Sequence, residues 1–98
     1  MGKWAMYRRR GSSPPGETTA QPLPPVLLTF AAPTTLAWSV DPNFDPSDWI
    51  IFLDGVQFDD VPGILRVYNT DTSSGDWTVQ GINAGSEPVT QLSNTATN

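Results

Sequence analysis

Apolar and polar residues follow one another in short runs along this chain, and the most apolar run is residues 49–53. These five large apolar residues are followed directly by Asp54 and Gly55. Five residues are too few for an independent helix, and their β-branched and aromatic content favours a strand. Asp-Gly readily adopts the positive φ angles of a two-residue hairpin turn. Because both faces of this run are apolar, we expect a central strand covered on both sides, with a returning strand over residues 56–58.

The rest of the chain after residue 25 has the same β character. Residues 35–40 place Leu36, Trp38 and Val40 on one face and smaller or polar residues on the other, which is typical of a half-buried strand. No segment has helical periodicity, and turn residues, among them a predicted turn that begins at Asp59 and Asp60, separate the apolar runs. The sequence therefore predicts an all-β fold, a small antiparallel β-sandwich of about seven strands with an extended N-terminal arm, and it places Trp38 and Ile51 in the core. The predicted strands are residues 26–30, 35–40, 49–53, 56–58, 64–68, 77–82 and 89–97.

Charge divides the chain into a basic start and an acidic remainder. Four of the five basic residues lie within the first ten positions, next to two large aromatic side chains. From residue 11 onward only Arg66 is basic, against all ten carboxylates, which gives that part a net charge of −9. Such asymmetry indicates an interaction tail. The candidate partner-binding residues of this anchoring arm, residues 1–10, are Lys3, Trp4, Tyr7, Arg8, Arg9 and Arg10.

A proline-rich segment connects this arm to the β-rich part. Residues 11–25 contain five of the ten prolines, and proline fixes φ and has no N–H group to donate to a strand ladder. We therefore expect a semi-rigid spacer of polyproline II type, which at about 3.1 Å per residue spans roughly 45 Å. The predicted organisation is an arm over residues 1–10, a spacer over 11–25 and a β-sandwich over 26–98.

Residues 24–98 resemble a fibronectin type III or immunoglobulin-like domain. The resemblance rests on Leu36-Ala37-Trp38, where the family has a buried tryptophan, on the apolar strand ending at Asp54-Gly55, and on a last hairpin that closes with Ser93-Asn94-Thr95. The sequence departs from the family at Trp77, which stands where the family has the tyrosine of its corner motif. The resemblance implies a two-sheet sandwich that serves as a structural or binding module, and phage virions commonly contain domains of this kind.

The residue types available make catalysis an unfavourable interpretation. The chain has neither histidine nor cysteine, so the commonest general base and the thiolate chemistry are both missing. No nucleophile elbow, phosphate loop or dinucleotide fingerprint is present. Asp41, Asn43 and Asp45 have the opening spacing of a calcium loop, but Pro46 and Phe52 occupy its glycine and final acid positions. We expect side-chain turn bonds there, no metal site, no cofactor and no enzymatic activity.

No apolar run is long enough to span a membrane, and no apolar segment of a secretory signal follows the basic start. Gly2 is not in a myristoylation motif, because Met6 replaces the required serine or threonine. We therefore expect no membrane association and assembly in the cytoplasm of a host cell.

These observations lead to an expected function. We expect a non-enzymatic structural and binding module, most specifically a decoration, cement or fibre-like protein of a virion. Its partners would be capsid or tail proteins, with a homo-oligomer as one possible form, and its arm would make the contact. One alternative is a carbohydrate- or cell-surface-binding module in which exposed aromatic residues, such as Phe44 and Trp49, contact sugars. A further alternative is weak nucleic-acid binding by the arm, which the acidic remainder of the chain opposes.

Overall fold

The computed structural model describes residues 22–98, which form two antiparallel β-sheets with a shared core. The first sheet has the strand order β1-β2-β5 and the second has the order β4-β3-β6-β7. All regular structure within these residues is β, so the predicted all-β sandwich of about seven strands is confirmed. The predicted arm and the spacer as far as residue 21 lie outside the described residues. The strands are β1 (Leu27–Ala32), β2 (Thr35–Ser39), β3 (Asp48–Leu53), β4 (Val56–Pro62), β5 (Val67–Asn69), β6 (Asp76–Ile82) and β7 (Ala96–Thr97).

Strand β3 is the centre of the second sheet, as its continuous apolar sequence predicts. It pairs with β4 on one side and β6 on the other. The predicted hairpin turn lies between β3 and β4, with φ angles of 53° at Asp54 and 79° at Gly55. The Asp54 carboxylate also accepts a hydrogen bond of 2.9 Å from the Asp76 backbone N–H. One short dipeptide thus reverses the chain and fastens the turn to the neighbouring strand.

The core lies between the sheets and contains three of the four tryptophans. Trp49 and Trp77 are fully buried, and Trp38 is 5% exposed. The rings of Trp38 and Trp49 meet edge to face with centroids 5.6 Å apart, so the contact joins the first sheet to the second. Ile51 is fully buried beside them. Both residues that the sequence assigns to the core, Trp38 and Ile51, are therefore confirmed there.

The second hairpin extends further than its sequence indicates. Strand β4 includes Asp59 and Asp60, although the sequence predicts a turn at these two residues. A bulge at Phe58 interrupts the ladder, since Ile51 pairs with Asp59 whereas Phe52 pairs with Gln57. The strand continues because it lies at the edge of the sheet, where acidic side chains remain solvated and also discourage pairing with other chains. The turn prediction at these two residues is wrong for that reason.

The last part of the chain is held to β6 by side-chain hydrogen bonds as well as by a few backbone hydrogen bonds. Residues 89–97 were predicted as one strand, but only Ala96 and Thr97 form β7. The Gly81 N–H donates to the Thr90 hydroxyl, and the Val79 N–H donates to the Ser93 hydroxyl, each at 2.9 Å. Serine and threonine side chains compete with strand ladders in this way. A segment rich in them therefore follows β6 without forming a regular strand.

Asn94 closes the free edge of β1. Its Oδ1 accepts a hydrogen bond from the Leu28 N–H, and its Nδ2 donates to the Leu28 carbonyl, both at 2.8 Å. One amide side chain thus makes the pair of bonds that a neighbouring strand would make. Because Asn94 lies two residues before β7, which pairs with β6, this contact fastens the first sheet to the second.

Candidate functional site

The arm residues that the sequence singles out as partner-binding, namely Lys3, Trp4, Tyr7, Arg8, Arg9 and Arg10, lie outside the described residues. The structure therefore places none of them, and the surfaces of the sandwich body remain for examination. Two of those surfaces differ from the rest, one on the outer side of each sheet.

The outer side of the first sheet has no charged side chain. Leu28, Leu36 and Trp38 point into the core, so the residues between them point outward. The pairing aligns Leu27 with Ser39, and it aligns Thr29 with Ala37. Leu27 is 68% exposed and Val67 is 53% exposed. We call this surface the uncharged face, and its members are Leu27, Thr29, Thr35, Ala37, Ser39, Val67 and Asn69.

A shallow groove follows the uncharged face. One part, of about 250 Å³, is lined by residues 27–29 of β1 and 37–39 of β2. A second part, of about 310 Å³, shares Leu27 and Ser39 with the first and is completed by Pro24, Pro25, Val40 and Asp41. The small side chains of β2 leave room between the larger residues at either side. The groove therefore extends from the middle of the sheet to the segment that precedes β1.

The outer side of the second sheet has a cleft of different character, with a volume of about 290 Å³. Ile50 lies between Asp60 on β4 and Gln80 on β6, because the strand register aligns these three residues across the sheet. Phe52 and Ile82 add apolar surface, while Gln57 contributes a second amide. We call this the polar cleft, and its lining residues are Ile50, Phe52, Gln57, Asp60, Gln80, Ile82, Ser86 and Pro88.

Asp60 is the carboxylate that lines the polar cleft, and two further carboxylates lie near it. Desolvation raises the pKa of Asp60, and the charge of Asp48 and a hydrogen bond with it raise that pKa further, with a smaller contribution from Asp59. Neighbouring like charges are mutually unfavourable, so a hydrogen-bond donor placed among them would be favoured. The cleft thus combines acceptors, amides and an apolar surface around one small volume.

Arg66, the only basic residue of residues 22–98, has a structural role. Its guanidinium lies 5.3 Å from the centre of the Trp49 ring and donates to the Gly63 carbonyl at 2.7 Å. It also donates to the Phe44 carbonyl at 2.8 Å and forms an ion pair of 2.9 Å with Asp45. A side chain at Gly63 would collide with the Pro46 carbonyl, so this packing requires glycine there. Arg66 holds one end of the sandwich together.

The burial of Trp49 overturns one part of the carbohydrate interpretation. Trp49 is fully enclosed, and its indole N–H donates to the Gly63 carbonyl at 2.9 Å. It is therefore unavailable for stacking on a sugar, and our expectation that it is an exposed aromatic is wrong. Phe44 is half-buried, with its carbonyl engaged by Arg66. Apolar neighbours on both sides of residue 49 are the sequence signal that favours the buried position.

An aromatic cluster fills the side where β4 and β5 approach each other. The Phe58 ring lies edge-on to both Tyr68 and Trp77, with centroid distances of 6.4 and 5.2 Å. The Tyr68 hydroxyl donates to the Asp59 carboxylate at 2.7 Å. Burial first, and then this hydrogen bond and the negative charge of Asp59, raise the pKa of Tyr68 to about 12. The tyrosine therefore stays neutral and fixes the bulged strand.

Neither a cluster of metal-ligating residues nor a helix of membrane-spanning length occurs among the described residues. Between residues 22 and 98, no three histidine, cysteine, aspartate or glutamate side chains come close enough to hold a metal ion. The same part of the chain has no apolar helix of membrane-spanning length. At the broken calcium pattern, the Asp41 carboxylate accepts a hydrogen bond of 2.9 Å from the Asn43 N–H, which confirms the predicted turn chemistry.

Neither the uncharged face nor the polar cleft is among the sites that the sequence predicts. A signal for the uncharged face exists, because residues 18–40 contain no charged residue in a chain with ten carboxylates. The polar cleft has no such signal, since its side chains come from three strands and a loop. Comparison of the chain with protein-family models, with curated proteins and with solved structures finds no significant match.

Proposed function

We propose that this protein is a non-enzymatic structural and binding module that docks on a large protein assembly through its N-terminal arm. More specifically, we propose that it is a decoration, cement or fibre-like protein of a virion. The observation that carries it is the uncharged face, an exposed sheet surface with apolar side chains on an otherwise acidic body. Uncharged surface with exposed apolar side chains is typical of the centre of protein–protein contacts.

The strand order supports the fibronectin type III side of the family resemblance. In the constant immunoglobulin arrangement, the fourth strand lies in the same sheet as the first, second and fifth. Here β4 lies in the other sheet, beside β3. Trp77, at the position of the family's corner tyrosine, donates from its indole N–H to the Asn98 side chain at 3.0 Å. Its polar group is thus satisfied by the end of the chain.

The arm and the uncharged face have complementary roles in this proposal. Tryptophan, tyrosine and arginine contribute most of the binding energy at interfaces, and the arm concentrates these three types within ten residues. A proline-rich spacer lowers the conformational entropy that is lost when such an arm docks. The arm therefore supplies the anchor, and the face supplies a broader surface next to the spacer.

The decisive experiment is sedimentation with particles from the protein's natural source. We expect the tagged full chain to co-sediment with large particles, and the chain that lacks residues 1–10 to remain folded in the supernatant. Replacing Arg8, Arg9 and Arg10 with alanine should weaken co-sedimentation and flatten its salt dependence. Deletion of residues 11–13, which removes no aromatic or charged group, is the matched control and should have little effect. Full occupancy of the particle by the chain without residues 1–10 would contradict the proposal.

The polar cleft favours carbohydrate binding as a second candidate function. Phe52 and Ile82 offer apolar contact, while Gln57, Gln80 and Asp60 offer donors and acceptors around a volume at the lower end of ligand pockets. A panel of immobilised glycans tests this candidate. Binding should survive deletion of residues 1–10 and should be lost when both glutamines are replaced by alanine. Equal glycan binding by the double variant and the wild type would exclude the cleft.

A further inference from the structure

We infer that, in the unassembled chain, the aromatic residues Trp4 and Tyr7 of the chain's own arm lie in the groove of the uncharged face. This inference goes beyond the proposed function, because it concerns the free protein and holds whether or not a particle partner exists. Three observations support it: the place where the described chain begins, the length of chain before that place, and the chemistry of the groove.

The chain enters the sandwich at one end of the groove. Pro24 and Pro25 line the same groove as Leu27 and Ser39. This segment is fixed in place, because the Gln91 N–H donates to the Pro24 carbonyl at 3.0 Å and the Gln91 side chain donates to the Leu23 carbonyl at 2.9 Å. The described part of the chain thus begins beside the groove.

The preceding chain is long enough to reach any part of the uncharged face. Pro22 lies fifteen positions after Tyr7 in the sequence, which allows roughly 46 Å at about 3.1 Å per residue. Strand β1 has six residues, so the face is only about 20 Å long at 3.3 Å per residue. A tether of this kind presents its aromatic side chains at an effective concentration on the order of millimolar. Occupancy of the groove by the chain's own arm therefore competes well with contact between separate molecules.

The groove matches the chemistry of the arm. Ala37 and Ser39 leave space in the middle of the sheet, and this part of the groove is lined by no charged residue, so an aromatic ring can lose water contact there without burying a charge. Asp41 lies at the end of the groove near the spacer, where its carboxylate can accept hydrogen bonds from an arginine of the arm. The outer side of the second sheet offers carboxylates but less open apolar surface, since Ile50 is only 8% exposed.

Tryptophan fluorescence of the full chain tests this inference directly. The other three tryptophans are buried in the core, so the difference in emission between the wild type and Trp4→Phe isolates Trp4. We expect Trp4 to emit to the blue of free N-acetyltryptophanamide and to be quenched several-fold less by acrylamide. Val67→Asp places a carboxylate on the uncharged face and should return the quenching of Trp4 to that of the free indole.

Val56→Asp is the matched control for Val67→Asp. Both valines lie in strands, and Val56 is 69% exposed whereas Val67 is 53% exposed. Val56, however, belongs to the second sheet. The control should leave the protection of Trp4 unchanged. Thr29→Asp, at another exposed position of the face, replaces Val67→Asp if that variant loses the thermal transition of the wild type.

Three results would overturn the inference. The first is a wild-type Trp4 that is quenched as freely as N-acetyltryptophanamide. The second is a protection of Trp4 that Val67→Asp and the control Val56→Asp change equally. The third is protection that disappears on dilution together with a dimer in sedimentation velocity, which would assign the groove to the arm of a second copy. Each of these results is independent of particle binding, so failure here is distinguishable from failure of the proposed function.

Discussion

The Asn94 side chain closes the edge of β1, and its removal should destabilise the protein more than its surface position indicates. Asn94→Ala deletes two hydrogen bonds of 2.8 Å to the N–H and carbonyl of Leu28, whose side chain is 4% exposed. Because β1 contributes Leu27 and Thr29 to the uncharged face, the substitution perturbs that face as well as the join between the sheets.

The expected magnitude follows from the number of bonds and their surroundings. A typical intramolecular hydrogen bond contributes a net 0.5–1.5 kcal/mol, so two contribute about 2 kcal/mol. Partial access of water to the freed Leu28 groups keeps the loss below the penalty for fully buried unpaired groups. Domains of this size unfold with roughly 5–15 kcal/mol, and a loss of about 2 kcal/mol lowers the melting temperature by about 8–16 °C.

Urea unfolding followed by circular dichroism measures this loss, with Asn43→Ala as the control. Asn43 is an exposed loop residue whose side chain makes no hydrogen bond within residues 22–98, so its removal should change stability by less than about 0.5 kcal/mol. Asn94→Asp adds a test of geometry, because a carboxylate can accept from the Leu28 N–H but repels the Leu28 carbonyl. The pKa of the introduced aspartate should be raised in the folded state. The stability that Asn94→Asp loses relative to the wild type should therefore shrink as the pH falls toward about 4. A cost below about 0.5 kcal/mol for Asn94→Ala would refute the reasoning.

Two further predictions follow from the core and from Tyr68. Ile51→Ala should cost about 2–5 kcal/mol in urea unfolding, because Ile51 is fully buried between the sheets; a loss under 1 kcal/mol would show that the neighbouring side chains collapse into the space. Absorbance titration of the two tyrosines should separate Tyr68, with a pKa of about 12, from Tyr7, and Tyr68→Phe should abolish the later transition. Since the Tyr68 pKa is raised on folding, its contribution to stability is full below pH 10 and is lost as the pH rises toward 12; a single transition for both tyrosines would contradict the contact with Asp59.

Much of the fold could be predicted because the local signals agree with the tertiary arrangement. The alternation around Trp38, the apolar run through Ile51 and the turn at Asp54-Gly55 each have a physical preference that the folded protein preserves. The boundaries that failed lie where contacts distant in sequence prevail. Asp59 remains in a strand because Tyr68 donates to it, and Ser93 leaves the strand because its hydroxyl bonds to the β6 backbone.

The sequence by itself determined the all-β class, the central strand, the first hairpin and the division between a basic start and an acidic remainder. Each depends on neighbouring residues, either through backbone propensity and alternation or through charge that can be counted. Only the tertiary structure decided which side chains share a surface. Leu27 and Val67 lie on the same side of the first sheet, and Ile50 lies between Asp60 and Gln80, because strand register aligns residues that are far apart in the chain. Register depends on the burial of whole faces, so both surfaces become visible only once the two sheets are packed.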